Sequence, residues 1–191
     1  MKTAISLLLS LDLFACAVQS YAMNTPPSPS PDKDDGWLQN GKPVPDSDNI
    51  KSKNGFGAQL WIIHDRSFFD DWNKPGTPDL PITETVMRNK PVFIVFLFIN
   101  PGLDQESRAH VTADVTIRSP DGKMYGDFKD IEIWRRRYAA PRNGIQLAVD
   151  NLGLKIEDGE QLGVYQIEAT ITDHIAKTTL ELKTAFTAKE K

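Results

Sequence analysis

Cysteine is almost absent from this 191-residue chain: its single thiol, Cys16, stands inside an apolar N-terminal stretch. Removal of that stretch leaves no thiol, which excludes disulfides, thiolate nucleophiles and cysteine-metal centres. Histidine is nearly as scarce. His64, His110 and His174 are far apart, and none stands in the His-x-x-x-His spacing of a metal site. There is no Gly-x-Ser-x-Gly element, and Ser67, Ser107 and Ser119 sit among turn residues, so a serine triad has no local signature. Asp121-Gly122 and Asp158-Gly159 lack the spaced oxygen ligands of a calcium loop. Nothing here calls for a metal or a cofactor. With 22 Lys and Arg against 26 Asp and Glu, the net charge of −4 argues against a nucleic-acid partner, which needs clustered cations.

What is present at the N-terminus has the order of a secretory signal. Lys2 precedes an apolar run through Val18, and Ser20-Tyr21-Ala22 places small residues on either side of Tyr21, as signal peptidase requires. The run is too short to span a bilayer comfortably and carries Asp12, which would cost about 2.5–3.5 kcal/mol at membrane depth. Residues 1–22 are therefore expected to be a cleaved signal, giving a periplasmic or secreted protein with no transmembrane segment. In the alternative, Leu13-Phe14-Ala15-Cys16 resembles a lipoprotein processing box, and Cys16 becomes a lipidated outer-membrane anchor. Residues 23–54 are mostly Pro, Ser, Asp, Lys, Asn and Gly, with Trp37, Leu38, Val44 and Ile50 the only sizeable apolar side chains after Met23. So little apolar surface cannot offset ordering entropy, so the segment is expected to be a disordered tether. Trp37 then reads as a lone linker aromatic or a docking side chain.

Residues 55–188 change pattern to short apolar runs between turns. Phe56, Ala58, Leu60 and Ile62 alternate with Gly57, Gln59, Trp61 and Ile63, predicting a strand. Residues 91–99 are apolar throughout, as in a central strand or one covered on both faces. Val111, Ala113, Val115 and Ile117 alternate with polar residues before the Pro120-Asp121-Gly122 turn. Weaker strands are expected at 123–127, 131–134, 145–149 and 154–156. Two strong ones follow, through Tyr165 to Ile171 and Leu180 to Phe186, joined by a hairpin loop at 173–177. Phe68, Phe69 and Trp72 have helical spacing between a cap at Asp65 or Ser67 and Pro75-Gly76, predicting one helical turn that plugs an end of the domain. Strands with one apolar face each predict an all-β, antiparallel two-sheet sandwich.

Leu162-Gly163-Val164-Tyr165-Gln166-Ile167 carries a resemblance: the chain is similar to the immunoglobulin-like and fibronectin-type sandwich domains of exported bacterial proteins. The resemblance implies that Tyr165 is the structural tyrosine corner, its hydroxyl turned back to upstream backbone. Asp173 and the last strand through Phe186 fit the same pattern. Ile167 stands where an antibody-type domain has its second cysteine, so the looser bacterial variety is implied. That resemblance implies fold and compartment and carries no activity.

For function, the most distinctive segment is Trp134-Arg135-Arg136-Arg137-Tyr138, followed by Pro141-Arg142. Arginine forks suit carboxylates and aromatic faces suit cations or sugars, so these five residues are the candidate partner site. The structural alternative is a strand end in which Ile131, Ile133 and Trp134 bury and the arginines pair with Asp130 and Glu132. The first expectation is a non-enzymatic binding module for a protein or peptide, with free sheet edges able to accept an added strand. A second is a carbohydrate-binding module whose platform is Trp61, Trp72, Trp134 and Tyr138. The third is a hydrolase using Asp65, Asp70, Asp71 and Glu84, which needs two carboxylates in one concave pocket.

Overall fold

The computed structural model describes residues 36–76 and 78–191; the expected signal and the first part of the expected tether lie outside the described residues. Among the described residues the elements are, in chain order, β1 (Leu38–Gln39), β2 (Lys42–Pro43), β3 (Ile50–Lys53), β4 (Phe56–Ile63), α1 (Ser67–Asp71) and β5 (Thr85–Met87). There follow β6 (Pro91–Ile99), β7 (Arg108–Arg118), β8 (Met124–Tyr138), β9 (Gln146–Leu147), β10 (Leu152–Lys155), β11 (Gly163–Asp173) and β12 (Thr178–Lys189). The protein is thus nearly all β with one short helix. No described helix is long and apolar enough to cross a membrane.

Beyond the small β1-β2 ribbon, the strands form two five-stranded sheets. The first has the order β10-β6-β4-β3, with β9 also paired to β6; the second has the order β5-β12-β11-β7-β8. Their facing sides share one buried cluster. Phe56, Leu60 and Ile62 of β4 and Ile94, Phe96 and Phe98 of β6 meet Val111, Val115 and Ile117 of β7 and Tyr165, Ile167 and Ile171 of β11 there. These are the period-two positions of each strand, so alternation alone decides which side chains enter the core. One pairing departs from the all-antiparallel expectation: edge strand β5 runs parallel to β12. The chain reaches β5 after a connection from the other sheet, so no hairpin dictates its direction.

The tether expectation fails from residue 36 onward. β3 pairs with β4 along Ile50↔Gln59 to Lys53↔Phe56. Trp37 is buried at 5% exposure. A second cluster explains this, because the first sheet is apolar on its outer face as well. Trp37, Ile63, Phe68, Val95, Leu97 and Ile99 bury together there, with Val44, Ile50 and Trp72 packed against them. Three of the four apolar residues of the supposed linker therefore cover one face of β4 and β6. Space for the indole is left by Gly57, where an added Cβ would lie 2.7 Å from Trp37 Nε1.

Helix α1 belongs to the same outer cover and does not plug an end of the sandwich. Its Phe68 ring lies 5.6 Å from Trp72, at the helical spacing expected, and 5.8 Å from its chain neighbour Phe69. Asp65 Oδ1 accepts from the Ser67 N–H at 2.8 Å, while Arg66 occupies the N-cap position itself. Elsewhere, the two strands expected at 123–127 and 131–134 are one continuous strand, β8. It stays paired to β7 through four register shifts, and Asp130 takes a left-handed φ of 53°. Extra residues absorbed as bulges let a long strand continue where the alternation breaks.

Replacing Trp37 by Ala should lower stability by about 3–5 kcal/mol, the usual range for a buried aromatic. Its Nε1 has no hydrogen-bond acceptor among the described residues, so Trp37→Phe should cost distinctly less. Urea unfolding of the two variants checks this; a Trp37→Ala protein as stable as the parent would contradict the outer cover.

Candidate functional site

The five residues of the sequence-derived patch do not act as one surface. Trp134 is half-buried against the core, its ring edge-on to Phe98 at 5.6 Å. Its Nε1 donates to the carbonyls of Arg137 (3.3 Å) and Tyr138 (3.2 Å). Arg136 is a bulge with a φ of 51°, and beyond it Arg137 and Tyr138 still pair with Ala109 and Arg108 of β7. Arg135 is neutralised locally, at 2.9 Å from Asp130 and 3.7 Å from Glu132. Arg136, Arg137 and Tyr138 point outward, Tyr138 at 73% exposure. The guanidinium of Arg137 sits 5.9 Å from the Trp134 ring centroid, within cation–π range.

Beside this strand end lies a groove of about 610 Å³, where β8, β9 and the C-terminal side of α1 converge. Trp72, Trp134 and Tyr138 line it, with Arg137 and Gln146. Asp150 N–H donates to the Glu132 carbonyl and Val149 N–H to the Ile133 carbonyl, which stitches the chain after β9 to β8 and closes the seam between the sheets. Gln146 is buried; its Oε1 accepts from Ala140 N–H at 2.8 Å, while its Nε2 has no acceptor among the described residues. Arg137 is the groove's sole charged lining residue among those described.

Three of the four rings proposed for a sugar platform therefore meet, and the fourth does not. Trp61 is half-buried, donates to Gln59 Oε1 at 2.7 Å, and lines a separate opening of about 620 Å³ beside β12. Convergence of Trp72 with Trp134 had no sequence signal, because it depends on how the two sheets meet.

The acidic candidates are divided as well. Asp65 and Asp71 border a shallow depression of about 400 Å³ together with Lys74 and Asp79, whereas Asp70 and Glu84 do not line it. Asp71 is tied to Lys74 at 2.7 Å. The Ser67 backbone N–H holds the Asp65 carboxyl below the usual carboxylate range. A general acid needs a shift in the opposite sense.

Two histidines that the sequence separates are stacked in space. The rings of His110, on β7, and His174, in the β11-β12 hairpin, lie 4.3 Å apart at 28°. His174 N–H donates to the His110 carbonyl at 2.9 Å, and His174 Nε2 lies 2.9 Å from Thr112 Oγ1. Burial, then His174, Arg135 and Arg136, push the His110 pKa down, against a weaker upward pull from Asp130. His64 is exposed and apart from this pair. Among the described residues, no group of three or more His, Cys, Asp or Glu could hold a metal ion.

No family model matches the chain, and no curated protein matches it. Solved structures give distant likenesses. A family 123 glycoside hydrolase from Clostridium perfringens is 11% identical at TM-score 0.39, covering 71% of this chain and 27% of that one. A Niemann-Pick type C2 protein from the Japanese carpenter ant is 12% identical at TM-score 0.34, covering 70% and 89%. A Pseudomonas fluorescens alkylpurine DNA glycosylase is 10% identical at TM-score 0.34, covering 56% and 27%. Likeness at this level carries no argument about function.

The His110 shift fixes a sign for pH dependence. Above the unfolded value near 6.5 both states leave His110 neutral, and its contribution is complete. As pH falls below that value the unfolded chain takes a proton that the folded site resists, so stability drops toward the lowered folded pKa. The melting temperature should therefore fall more steeply below pH 6.5 in the parent than in His110→Gln. Parallel melting curves for the two proteins between pH 7.5 and about pH 5 would contradict the assignment.

Proposed function

We propose that the chain is an exported, non-enzymatic binding module, folded in the immunoglobulin-like manner, that takes an extended glycan in the groove beside β8. The observation that carries this reading is the meeting of Trp72, Trp134 and Tyr138 around one concave space with a single free guanidinium. Such sites combine aromatic walls with a few placed polar groups. The immunoglobulin-like reading is supported by Tyr165, whose hydroxyl donates to the Gln161 carbonyl at 2.9 Å while its ring stacks on Phe186 at 5.2 Å. A binding role is supported by the groove's lining, which includes no described carboxylate, cysteine or histidine.

Strand addition to a free edge has less support. On β8 the carbonyls of Glu132 and Ile133 are already engaged, and left-handed residues at Asp130 and Arg136 interrupt the extended edge. Bulges and charges of this kind blunt an edge against pairing. A protein or peptide partner is the second reading, favoured by exposed Arg136 next to exposed Tyr138, residue types enriched in binding hot spots. Export, with residues 1–22 removed and a short tether ahead of the folded part, completes the proposal.

Two measurements test it. Mass spectrometry of the exported chain should find Met23 at its N-terminus; a diacylglyceryl-modified Cys16 would replace the secreted form by an anchored one. In a screen of mixed oligosaccharides and peptides by NMR, the indole N–H signals of Trp72 and Trp134 should shift, and Tyr138→Ala should weaken that response about tenfold without changing the melting temperature. Responses confined to residues away from the groove would rule the site out.

A further inference from the structure

We infer that the ligand of this groove is an anionic saccharide, a short run of sugar rings bearing carboxylates. The inference rests on the groove being the binding site and concerns what fills it. Its first support is charge. The chain carries a net negative charge, yet no Asp or Glu stands among the groove's described lining residues and Arg137 does. Arg137 has no ion-pair partner among the described residues and is held by the face of Trp134. A guanidinium parked this way presents its fork to a planar carboxylate, which it can take with two parallel hydrogen bonds. Arg136, exposed on the same strand end, adds positive potential, whereas Arg135 is cancelled by Asp130 and Glu132.

The second support is the hydrogen-bonding sense of the groove. Arg137, the one charged side chain among the groove's described lining residues, offers a ligand only donors. The complementary ligand is rich in acceptors, as carboxylates and sugar oxygens are.

The third support is shape. Half-buried Trp72 and Trp134 and exposed Tyr138 give flat apolar faces around the guanidinium. A sugar acid has apolar C–H faces and a carboxylate on the same ring, so one residue of it satisfies both features. An acidic peptide brings the carboxylates without a flat apolar ring face beside each one, so it meets the guanidinium but not the aromatic walls.

The test uses the full chain with tri-galacturonate and tri-mannuronate, their methyl esters, and hexa-glutamate. The acidic trisaccharides should shift the Gln146 side-chain amide and the Trp72 and Trp134 indole signals. Their affinity should fall about tenfold on methyl esterification, on Arg137→Gln, and between low and high salt, as screened ion pairing requires. Arg137 is exposed, so its replacement leaves the fold intact and an unchanged melting temperature verifies this. If the methyl esters or hexa-glutamate bind the same groove as tightly, the acidic-sugar assignment is overturned while the groove stands as a site. If none of the probes perturbs the groove, both readings fall.

Discussion

Strand β6 is the constraint on which the rest of this architecture depends. It offers no polar side chain over Pro91–Ile99, so both of its faces must be removed from water. One face meets the second sheet. The other carries Phe93, Val95, Leu97 and Ile99, and at about 1.5–3 kcal/mol per large apolar side chain it cannot be left exposed. The chain solves this with α1 and with the segment beginning at Gly36. That cover also sets Trp72 beside β9, where the groove forms.

Charge is distributed with the same economy. The long β8 strand runs along an edge, and its polar positions hold Lys129 against Asp127 and Asp114, and Arg135 against Asp130 and Glu132. These exposed pairs contribute little to stability. Their consequence is local: they cancel the cations in the middle of the strand and leave those at its end, Arg136 and Arg137, without ion-pair partners among the described residues. The left-handed residue at Arg136 is a bulge, past which the strand resumes its pairing with β7 while the carbonyls of Arg137 and Tyr138 accept from the Trp134 indole. Bulges of this kind blunt a free edge against a further strand.

Most of the fold was legible because period-two alternation survives where one face is wet, as in β7, β11 and β12, and because β6 stands out as a continuous apolar run. β4, β6, β7, β11 and β12 fall close to where Phe56, Val92, Val111, Tyr165 and Leu180 announce them. Legibility failed where the deciding contact is distant. Trp37, Val44 and Ile50 look like stray apolar residues in a polar linker, and only the two-sided hydrophobicity of β6, read as a demand for a cover, could have pointed to their burial. β8 looked like two strands because bulges break its alternation near Asp130. For the candidate site, the aromatic and arginine cluster at 134–138 was visible as composition, but its division was not: Trp134 turns inward, Arg135 is paired, and Arg137 and Tyr138 face a groove. His110 and His174 meet only because β7 lies beside β11, a neighbour relation that local sequence does not encode.

Two of the concave regions contrast in the chemistry their linings present. Around Asp65 the backbone N–H of Ser67 stabilises the ionised carboxylate, a shift opposite to the one a general acid of glycoside hydrolysis needs, and Asp71 is ion-paired with Lys74. Around Trp134 the described carboxylates are excluded from the lining, the one guanidinium is braced on a ring, and the ring is fixed by two hydrogen bonds of its own. Groups held in place before a ligand arrives lose little entropy when it binds.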